Sequence, residues 1–336
     1  MKTKATILFF GYLLAFCTVS TIAHSQTDMD GTWSTVSSTG FTPAFWLSSN
    51  VVNNKIYVIG GIDTNGNVVS GVQVFDPSTN KWSKLATKGT FTPRFAMGTT
   101  VLDGKIYALG GSIGDLIPKN MSNKLEVFDP STNTWSTPKT TGKFTPRGFF
   151  SACTVNGKIY AIGGYSPATG ELNTFEVFDP STNKWSTPKT KGKLIPWGAG
   201  GNSCPVINDK IYLVAGNGAS SLSTAAVQVF DPSTNTWSTH TATGTFTPRL
   251  HMTASPLNGK IYVTGGTDDN GGVFNALEAF DPSTNTWSTP KTTGAFAPRA
   301  WFTSNVVNGK IYAIGGRAKG KKGVEAIEVF TPSQKG

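Results

Sequence analysis

A proline–arginine motif recurs four times in this chain and carries a residue type well suited to bind an anion. "FTPR" ends at Arg94, Arg147 and Arg249, and "FAPR" ends at Arg299. A guanidinium group is a planar fork of N–H donors that pairs bidentately with a carboxylate or a sulfate. Two related copies end instead at Ala44 and Trp197. Four arginines and one tryptophan therefore occupy matching places along the chain.

A second set of residues follows each motif by two positions. Its members are Trp46, Ala96, Phe149, Ala199, His251 and Trp301. Aromatic faces stack on sugar rings or apolar groups, so the two sets together could form a pocket for an anionic or glycan-like ligand. In the alternative interpretation, the arginine is a structural part of every repeat and its guanidinium bonds neighbouring loop carbonyls. Regular recurrence favours structure and the departures at Ala44, Trp197 and His251 favour binding, so both interpretations stay open.

These motifs sit within a long internal repeat. "DPSTNTWSTPKTTG" occurs unchanged at Asp129–Gly142 and at Asp281–Gly294, and looser copies lie around them. The tryptophans that anchor the copies are Trp82, Trp135, Trp185, Trp237 and Trp287. A spacing of about 50 residues is typical of solenoids, propellers and other repeat architectures.

One repeat contains the signals for four strands. Asn156-Gly157 separates two β-like runs, which is a strong hairpin signal. "KIYAIGG" from Lys158 supplies the second strand, and "FEVF" from Phe175 alternates apolar and polar residues like a half-buried third strand. Asp179-Pro180 then starts a tight turn, and a fourth strand follows around Trp185. Each repeat is expected to form four antiparallel strands, named A to D.

The repeat resembles the kelch repeat, in which a glycine pair follows an "IY" strand and a tryptophan lies a short distance beyond. Six "KIY" copies are centred on Tyr57, Tyr107, Tyr160, Tyr212, Tyr262 and Tyr312. The resemblance covers roughly residues 31–332 and implies an all-β fold, a six-bladed β-propeller of four-stranded antiparallel blades.

The resemblance also implies where a ligand would bind. In kelch propellers the D–A and B–C loops share one face and surround the mouth of the central channel. Arg317 would join that mouth from a B–C loop. The predicted ligand-binding residues are Arg94, Arg147, Arg249, Arg299, Arg317, Trp46, Trp197, His251 and Trp301. Unpaired guanidinium groups converging there would repel one another, so we expect an acidic sugar, a sulfated glycan or an acidic peptide as the partner.

The two ends of the chain predict how the ring closes. "IEVF" at Ile327–Phe330 is followed by no tryptophan strand, whereas "DGTWSTVSS" from Asp30 matches the missing piece. We therefore expect the N-terminal strand, around Thr32–Ser37, to pair with the segment around residues 324–330 as the outer strand of the sixth blade. The propeller would be one domain over residues 26–336.

The first residues predict export. Lys2 and Lys4 precede an apolar run from Ile7 to Val19, the order of a signal peptide cleaved near residue 25. The mature protein is expected to be secreted or periplasmic, without a membrane span. An oxidising compartment would permit a disulfide between Cys153 and Cys204. Their opposite phases in the expected strands favour two buried free thiols instead.

Enzyme signatures are mostly absent. After signal removal only His240 and His251 remain as histidines, and no nucleophile, phosphate-binding or metal-binding motif is present, so we expect no metal and no cofactor. The formal charge of +10 spreads over evenly spaced turn lysines, which argues against nucleic-acid binding. The sequence predicts a binding module, and we expect it to be a monomer. A carbohydrate isomerase resembling sialic-acid mutarotases, or a small-metabolite lyase or cyclase, remains the alternative.

Overall fold

The computed structural model describes residues 30–114, 120–195, 203–216, 225–320 and 323–333. All regular secondary structure in these ranges is β, with no helix, and hence none that could cross a membrane. The expected signal peptide over residues 1–25 and the candidate residue Trp197 lie outside the described residues.

The strands follow one another in chain order. They are β1 (Gly31–Val36), β2 (Ala44–Phe45), β3 (Ser48–Val52), β4 (Lys55–Ile59), β5 (Ile62–Asp63), β6 (Val72–Asp76), β7 (Lys81–Leu85), β8 (Gly98–Leu102), β9 (Lys105–Leu109), β10 (Leu125–Asp129), β11 (Thr134–Ser136), β12 (Ser151–Val155), β13 (Lys158–Ile162), β14 (Tyr165–Ser166) and β15 (Gly170–Glu171). The second half contains β16 (Phe175–Asp179), β17 (Lys184–Ser186), β18 (Val206–Ile207), β19 (Lys210–Val214), β20 (Val227–Asp231), β21 (Thr236–His240), β22 (Thr253–Leu257), β23 (Lys260–Thr264), β24 (Leu277–Asp281), β25 (Thr286–Ser288), β26 (Thr292–Thr293), β27 (Thr303–Val307), β28 (Lys310–Ile314) and β29 (Ile327–Pro332).

These strands form six blades, which confirms the six-bladed propeller. The first five blades are β3-β4-β6-β7, β8-β9-β10-β11, β12-β13-β16-β17, β18-β19-β20-β21 and β22-β23-β24-β25. The sixth is β27-β28-β29-β1, with β26 added in parallel outside β1. Two short hairpin-like pairs, β2-β5 and β14-β15, lie in the loops.

Local sequence explains the turns within a blade. In the third blade, Asn156 and Gly157 both have positive φ, 48° and 70°, as a two-residue hairpin turn requires. At the next turn, the Asp179 carboxylate accepts hydrogen bonds from the Ser181 backbone N–H (3.0 Å) and hydroxyl (2.5 Å). This carboxylate satisfies polar groups that the turn would otherwise leave without partners.

The hydrophobic core lies between blades rather than within one. One cluster joins Leu109 and Val127 of the second blade to Ile159 and Phe178 of the third. The buried ring of Trp185 belongs to the same cluster and stacks on Phe144 with centroids 4.3 Å apart. The blades are therefore held side by side by apolar side chains, and the repeat tryptophans are part of that packing.

The N-terminal strand closes the ring, as expected from the sequence. β1 pairs antiparallel with β29, with Trp33 opposite Phe330 and Val36 opposite Ile327. The first described strand and the last one thus belong to the same blade.

Cys153 and Cys204 form a disulfide, so the preference for free thiols was wrong. Their Cα atoms lie 5.5 Å apart, within the usual range for a disulfide. The argument from strand phase failed because β18 begins only at Val206. Cys204 precedes the strand, so strand alternation does not hold its side chain on the opposite side.

Candidate functional site: the loop face at the channel mouth

The four motif arginines are fully buried, and each is paired with one glutamate from strand C of its own blade. The relative exposure of all four residues is 0%. The pairs are Arg94–Glu126, Arg147–Glu176, Arg249–Glu278 and Arg299–Glu328. Arg147 Nη2 lies 2.7 Å from Glu176 Oε2. No guanidinium of this set points into solvent.

Each arginine also donates hydrogen bonds to backbone carbonyls at the end of strand B. Arg147 Nη1 donates to Gly163 O (2.6 Å), and Arg249 Nε donates to Gly265 O (2.7 Å). Arg94 lies over the ring of Phe91, 5.0 Å from its centroid. The side chain therefore ties the D–A loop to strands B and C of the same blade.

Burial also governs the electrostatics of these pairs. Loss of water lowers the pKa of all four arginines, that of Arg299 to about 10, while the attraction of the paired carboxylate acts in the opposite direction. The same burial raises the pKa of Glu328. A buried ion pair of this kind is unfavourable to break, because one charge is left without a partner.

This geometry supports the structural interpretation of the proline–arginine motif. The expected repulsion between unpaired guanidinium groups does not arise, because every one of the four has a carboxylate partner. Direct contact between these arginines and a ligand stays a prediction, and it would require the loops that cover them to open.

A sequence signal for the pairing exists at the second residue of strand C. That residue is glutamate in the four blades whose motif ends in arginine, and glutamine in the two blades that carry Ala44 and Trp197. The glutamines still accept a hydrogen bond from the D–A loop, as the glutamates do. Gln73 Oε1 accepts from Thr42 N (2.7 Å), and Gln228 Oε1 accepts from Ile195 N (2.8 Å). Loss of the positive charge is thus matched by loss of the negative one.

Five members of the second set are linked by backbone hydrogen bonds around the channel mouth, while Ala199 lies outside the described residues. Trp46 N donates to Trp301 O, Ala96 N to Trp46 O, Phe149 N to Ala96 O and Trp301 N to His251 O, at 2.9 to 3.0 Å. All five residues have φ between 52° and 57°. This left-handed conformation is uncommon for residues other than glycine, so the inter-blade bonds must hold it in place.

The side chains of this ring meet one another at the start of the inner strands. Trp46 packs edge-on against Phe149 and Trp301, with centroids 5.5 and 6.3 Å apart, and His251 lies 5.1 Å from Trp301. We call Trp46, Phe149, His251 and Trp301 the aromatic ring. All four are half-buried. The indole N–H groups of Trp46 and Trp301 are buried and make no hydrogen bond.

His251 is neutral at physiological pH. Burial lowers its pKa to about 4. The aromatic ring therefore carries no charge of its own under ordinary conditions.

Arg317 lies beside this ring on a B–C loop. Its backbone N donates to Ala300 O (2.8 Å), and its exposed guanidinium lies 5.7 Å from the centroid of Phe45. Tyr165, on another B–C loop, is 36% exposed and pairs through its backbone with Gly148. The described parts of the D–A and B–C loops thus lie together on one surface, here called the loop face.

Beyond the aromatic ring runs the central channel, where a cavity of about 370 Å³ is lined by small polar and apolar residues of all six blades, including the disulfide cysteines. Side chains bridge neighbouring blades here. Thr100 and Thr154 share a hydrogen bond of 2.9 Å, and Ser255 and Ser304 share one of 2.7 Å. Within the described ranges, no cluster of three or more His, Cys, Asp or Glu side chains could hold a metal ion.

Comparisons with known proteins agree with this architecture. Residues 4–216 and 201–335 match the family described as the KLHDC2/KLHL20/DRC7 Kelch-repeats domain. Beta-scruin of Limulus polyphemus is 30% identical over 124 residues, and alpha-scruin of the same organism is 32% identical over 115 residues. These matches cover 36% and 34% of this chain, and 13% and 12% of the relatives. With a family match over most of its length and six blades of the matching fold, the chain belongs to the kelch-repeat family of β-propeller proteins.

Proposed function

We propose that this propeller is a binding module whose protein partner docks on the loop face, with the aromatic ring at the centre of the contact. Kelch propellers typically bind protein partners. On the loop face, variable side chains project from backbone that is hydrogen-bonded between blades. Loops positioned in this way by a scaffold commonly determine which ligand a protein binds.

The aromatic ring is the observation that carries this proposal. Packing positions such as the repeat tryptophans are the same in every blade, whereas the ring position holds Trp, Ala, Phe, His and Trp in the described blades. Trp46, Phe149 and Trp301 pack on a buried apolar cluster, but each leaves part of its side chain exposed to a partner. Half-buried tryptophans at the centre of a surface are the residues that most often dominate binding energy at interfaces.

The exposed parts of the aromatic ring indicate what the partner would offer. The half-buried faces of Trp46 and Trp301 suit an apolar or aromatic side chain. Exposed Arg317 at the edge adds a positive charge. The proposed ligand is therefore a peptide segment that has an apolar or aromatic side chain for the ring and a carboxylate near Arg317. An acidic sugar or sulfated glycan is the competing ligand class.

We also propose that the protein works outside the cytoplasm as a monomer. The disulfide between Cys153 and Cys204 supports an oxidising compartment. Mass spectrometry of the protein recovered from culture medium or periplasm should show an N-terminus near residue 26. An intact Met1 on cytoplasmic protein would contradict export.

The binding proposal is tested by selecting ligands and then changing the ring. A random peptide library and an array of acidic and neutral glycans would be screened against the purified protein, and affinities measured by calorimetry. Trp46→Ala and Trp301→Ala should each weaken peptide binding by about 2 kcal/mol or more, the range of an interface hot spot. Both variants should fold normally, because Ala96 already occupies this position with φ 52°.

Lys158→Ala provides the control, because Lys158 lies at the turn between strands A and B, away from the loop face. Its affinity should equal that of the wild type. Selection of glycans alone, or equal binding by Trp301→Ala and the wild type, would contradict a peptide site at the aromatic ring.

A further inference from the structure

The outer edge of five blades is covered by the chain itself. After five of the six strands D, the linker to the next blade runs in parallel beside the strand D of that next blade. The paired residues are Lys88 and Thr134, Thr141 and Lys184, Lys191 and Thr236, Thr243 and Thr286, and Thr292 and Gly31. An open strand edge is a template for pairing with another chain, so this linker protects each edge it covers.

The covered edges share one contact geometry. The backbone N of Trp135, Trp185, Trp237 and Trp287 donates to the linker at 2.8 Å in each case. A glycine of the linker then packs closely on the same tryptophan. A Cβ atom added at Gly89, for example, would lie 2.2 Å from the carbonyl oxygen of Trp135.

The first blade departs from this pattern at β7. Among the described residues, no linker carbonyl accepts a hydrogen bond from Trp82 N. No β-bridge to the outer side of β7 is found there either. Gly40, the matching linker glycine, lies further from the strand, because a Cβ atom there would lie 3.4 Å from Trp82 Cβ and 3.7 Å from Trp82 O, an ordinary contact. Phe41 still packs on the Trp82 ring, with centroids 4.6 Å apart. Trp82 is half-buried, whereas the tryptophans of the other five blades are buried.

The sequence explains why this linker does not pair with the backbone of β7. Other linkers place one residue between their glycine and the following aromatic or leucine, as in Gly142-Lys143-Phe144. In the first linker Gly40 is followed directly by Phe41, and the backbone turns there through a bond from Phe41 N to Ser38 O (2.9 Å). The shorter linker therefore touches Trp82 without pairing with the backbone of β7.

β7 also lacks the proline that shortens three of the other outer strands. Pro138, Pro188 and Pro290 end their strands after three residues, whereas Leu85 at the same position allows β7 to continue for five. The edge carries exposed Lys81 and Lys84, where most other blades have threonine or serine at one or both positions. Among the described residues, the outer side of β7 therefore has no backbone partner, and it is positively charged. β7 is as long as β21 and longer than β11, β17 and β25.

We infer that the outer edge of β7 is a second docking site, which accepts an extended, acidic strand of a partner protein through backbone hydrogen bonds to residues 80–84, in place of the linker residues 38–40 that touch this edge without pairing with it. Charge complementarity with Lys81 and Lys84 selects the acidic strand. A second copy of this chain is disfavoured, because pairing β7 with itself would bring the lysines of both copies together. This site lies at the rim of the propeller and is independent of the loop face.

The edge can be tested with defined peptides and amide exchange. The probes are three labelled decapeptides: alternating threonine and glutamate, alternating threonine and lysine, and the acidic peptide interrupted by prolines. The acidic peptide should bind, and the lysine and proline peptides should not, because the first has the wrong charge and the second lacks backbone donors. Binding should slow deuterium exchange at the amides of Trp82 and Lys84, which in the free protein exchange faster than that of Trp135.

Variants separate backbone pairing from charge. Lys84→Pro removes an outward N–H at an edge position where proline is tolerated, and should abolish binding. Lys81→Glu should weaken binding about tenfold, or roughly 1.4 kcal/mol. Lys184→Glu, the matched change on the covered edge of the third blade, should leave binding unchanged.

Four outcomes would overturn the inference. They are no saturable binding of the acidic peptide, equal binding of the proline-interrupted peptide, equal loss in Lys81→Glu and Lys184→Glu, or a dimer of the protein in sedimentation that Lys84→Pro dissolves. Each would leave the proposed loop-face function untouched.

Discussion

At the residue scale, the buried arginine–glutamate pairs show how a motif suited to bind anions came to serve the fold. Arginine recurrence was visible in the sequence, but the side-chain direction was not, because a guanidinium group reaches either solvent or the blade from the same backbone position. The sequence did contain one signal for the buried pairing: the two blades without the arginine carry glutamine where the other four carry glutamate. It indicates that positive and negative charge are kept or lost together.

The first prediction concerns this pairing in the fifth blade. Arg249→Ala should lower the free energy of unfolding by about 3–5 kcal/mol, because Glu278 is left buried without its partner. The double variant Arg249→Ala/Glu278→Gln reproduces the combination of Ala44 and Gln73 and should lose clearly less. Urea unfolding of both variants measures the difference. An unchanged stability of Arg249→Ala would show that the pair is not structural.

The second prediction concerns His251. Its folded-state pKa of about 4 lies below the ordinary value of 6.5, so the folded state binds fewer protons than the unfolded state between these values. The contribution of His251 to stability is therefore present above pH 6.5 and is lost as the pH falls toward 4. His251→Ala serves as the reference. The difference in unfolding free energy between wild type and variant should shrink over this range, and a constant difference would contradict the buried neutral imidazole.

At the element scale, strands and turns could be predicted because their signals are local. The Asn-Gly hairpins, the Asp-Pro turns and the alternating strand C are each read from a few neighbouring residues. The missing backbone pairing along the outer edge of β7 could not be predicted from neighbouring residues. It depends on a linker one residue shorter than the others and on which strand that linker would have to reach.

The third prediction compares two outer-strand tryptophans. Trp135 is 4% exposed and stacks on Phe91, with centroids 4.4 Å apart. Trp135→Ala should cost about 3–5 kcal/mol of stability, as large aromatic truncations in cores do. Trp82→Ala should lower the free energy of unfolding less, because Trp82 is only half-buried and its strand has no backbone pairing with the linker. Equal losses in chemical denaturation would contradict the difference between the two edges.

At the scale of the whole molecule, ring closure and the disulfide depended on different kinds of information. Closure was predictable because one unit lacked its last strand and the N-terminus held a matching one. The disulfide was not, because Cys204 precedes a strand of two residues, and the sequence predicted a longer strand there. Hydrogen bonds between side chains of neighbouring inner strands, such as Thr100 and Thr154, also join the blades. They cannot be predicted from one repeat, because each bond needs residues of two blades.

The fourth prediction tests closure. Deleting residues 26–38 removes β1 and exposes the edge of β29, so the melting temperature should fall substantially. Deleting residues 26–29 alone leaves β1 in place and should change the melting temperature little. A similar melting temperature for both deletions would show that β1 does not stabilise the closed ring.

The central claim is that a partner binds at the loop face, and deuterium exchange with and without the tightest selected peptide tests it most directly. The account predicts slower exchange at the amides of residues 44–46, 147–149, 249–251 and 299–301, with little change at the turns between strands A and B. Protection confined to those turns, or to the outer strands, with none around Trp46 and Trp301, would contradict it.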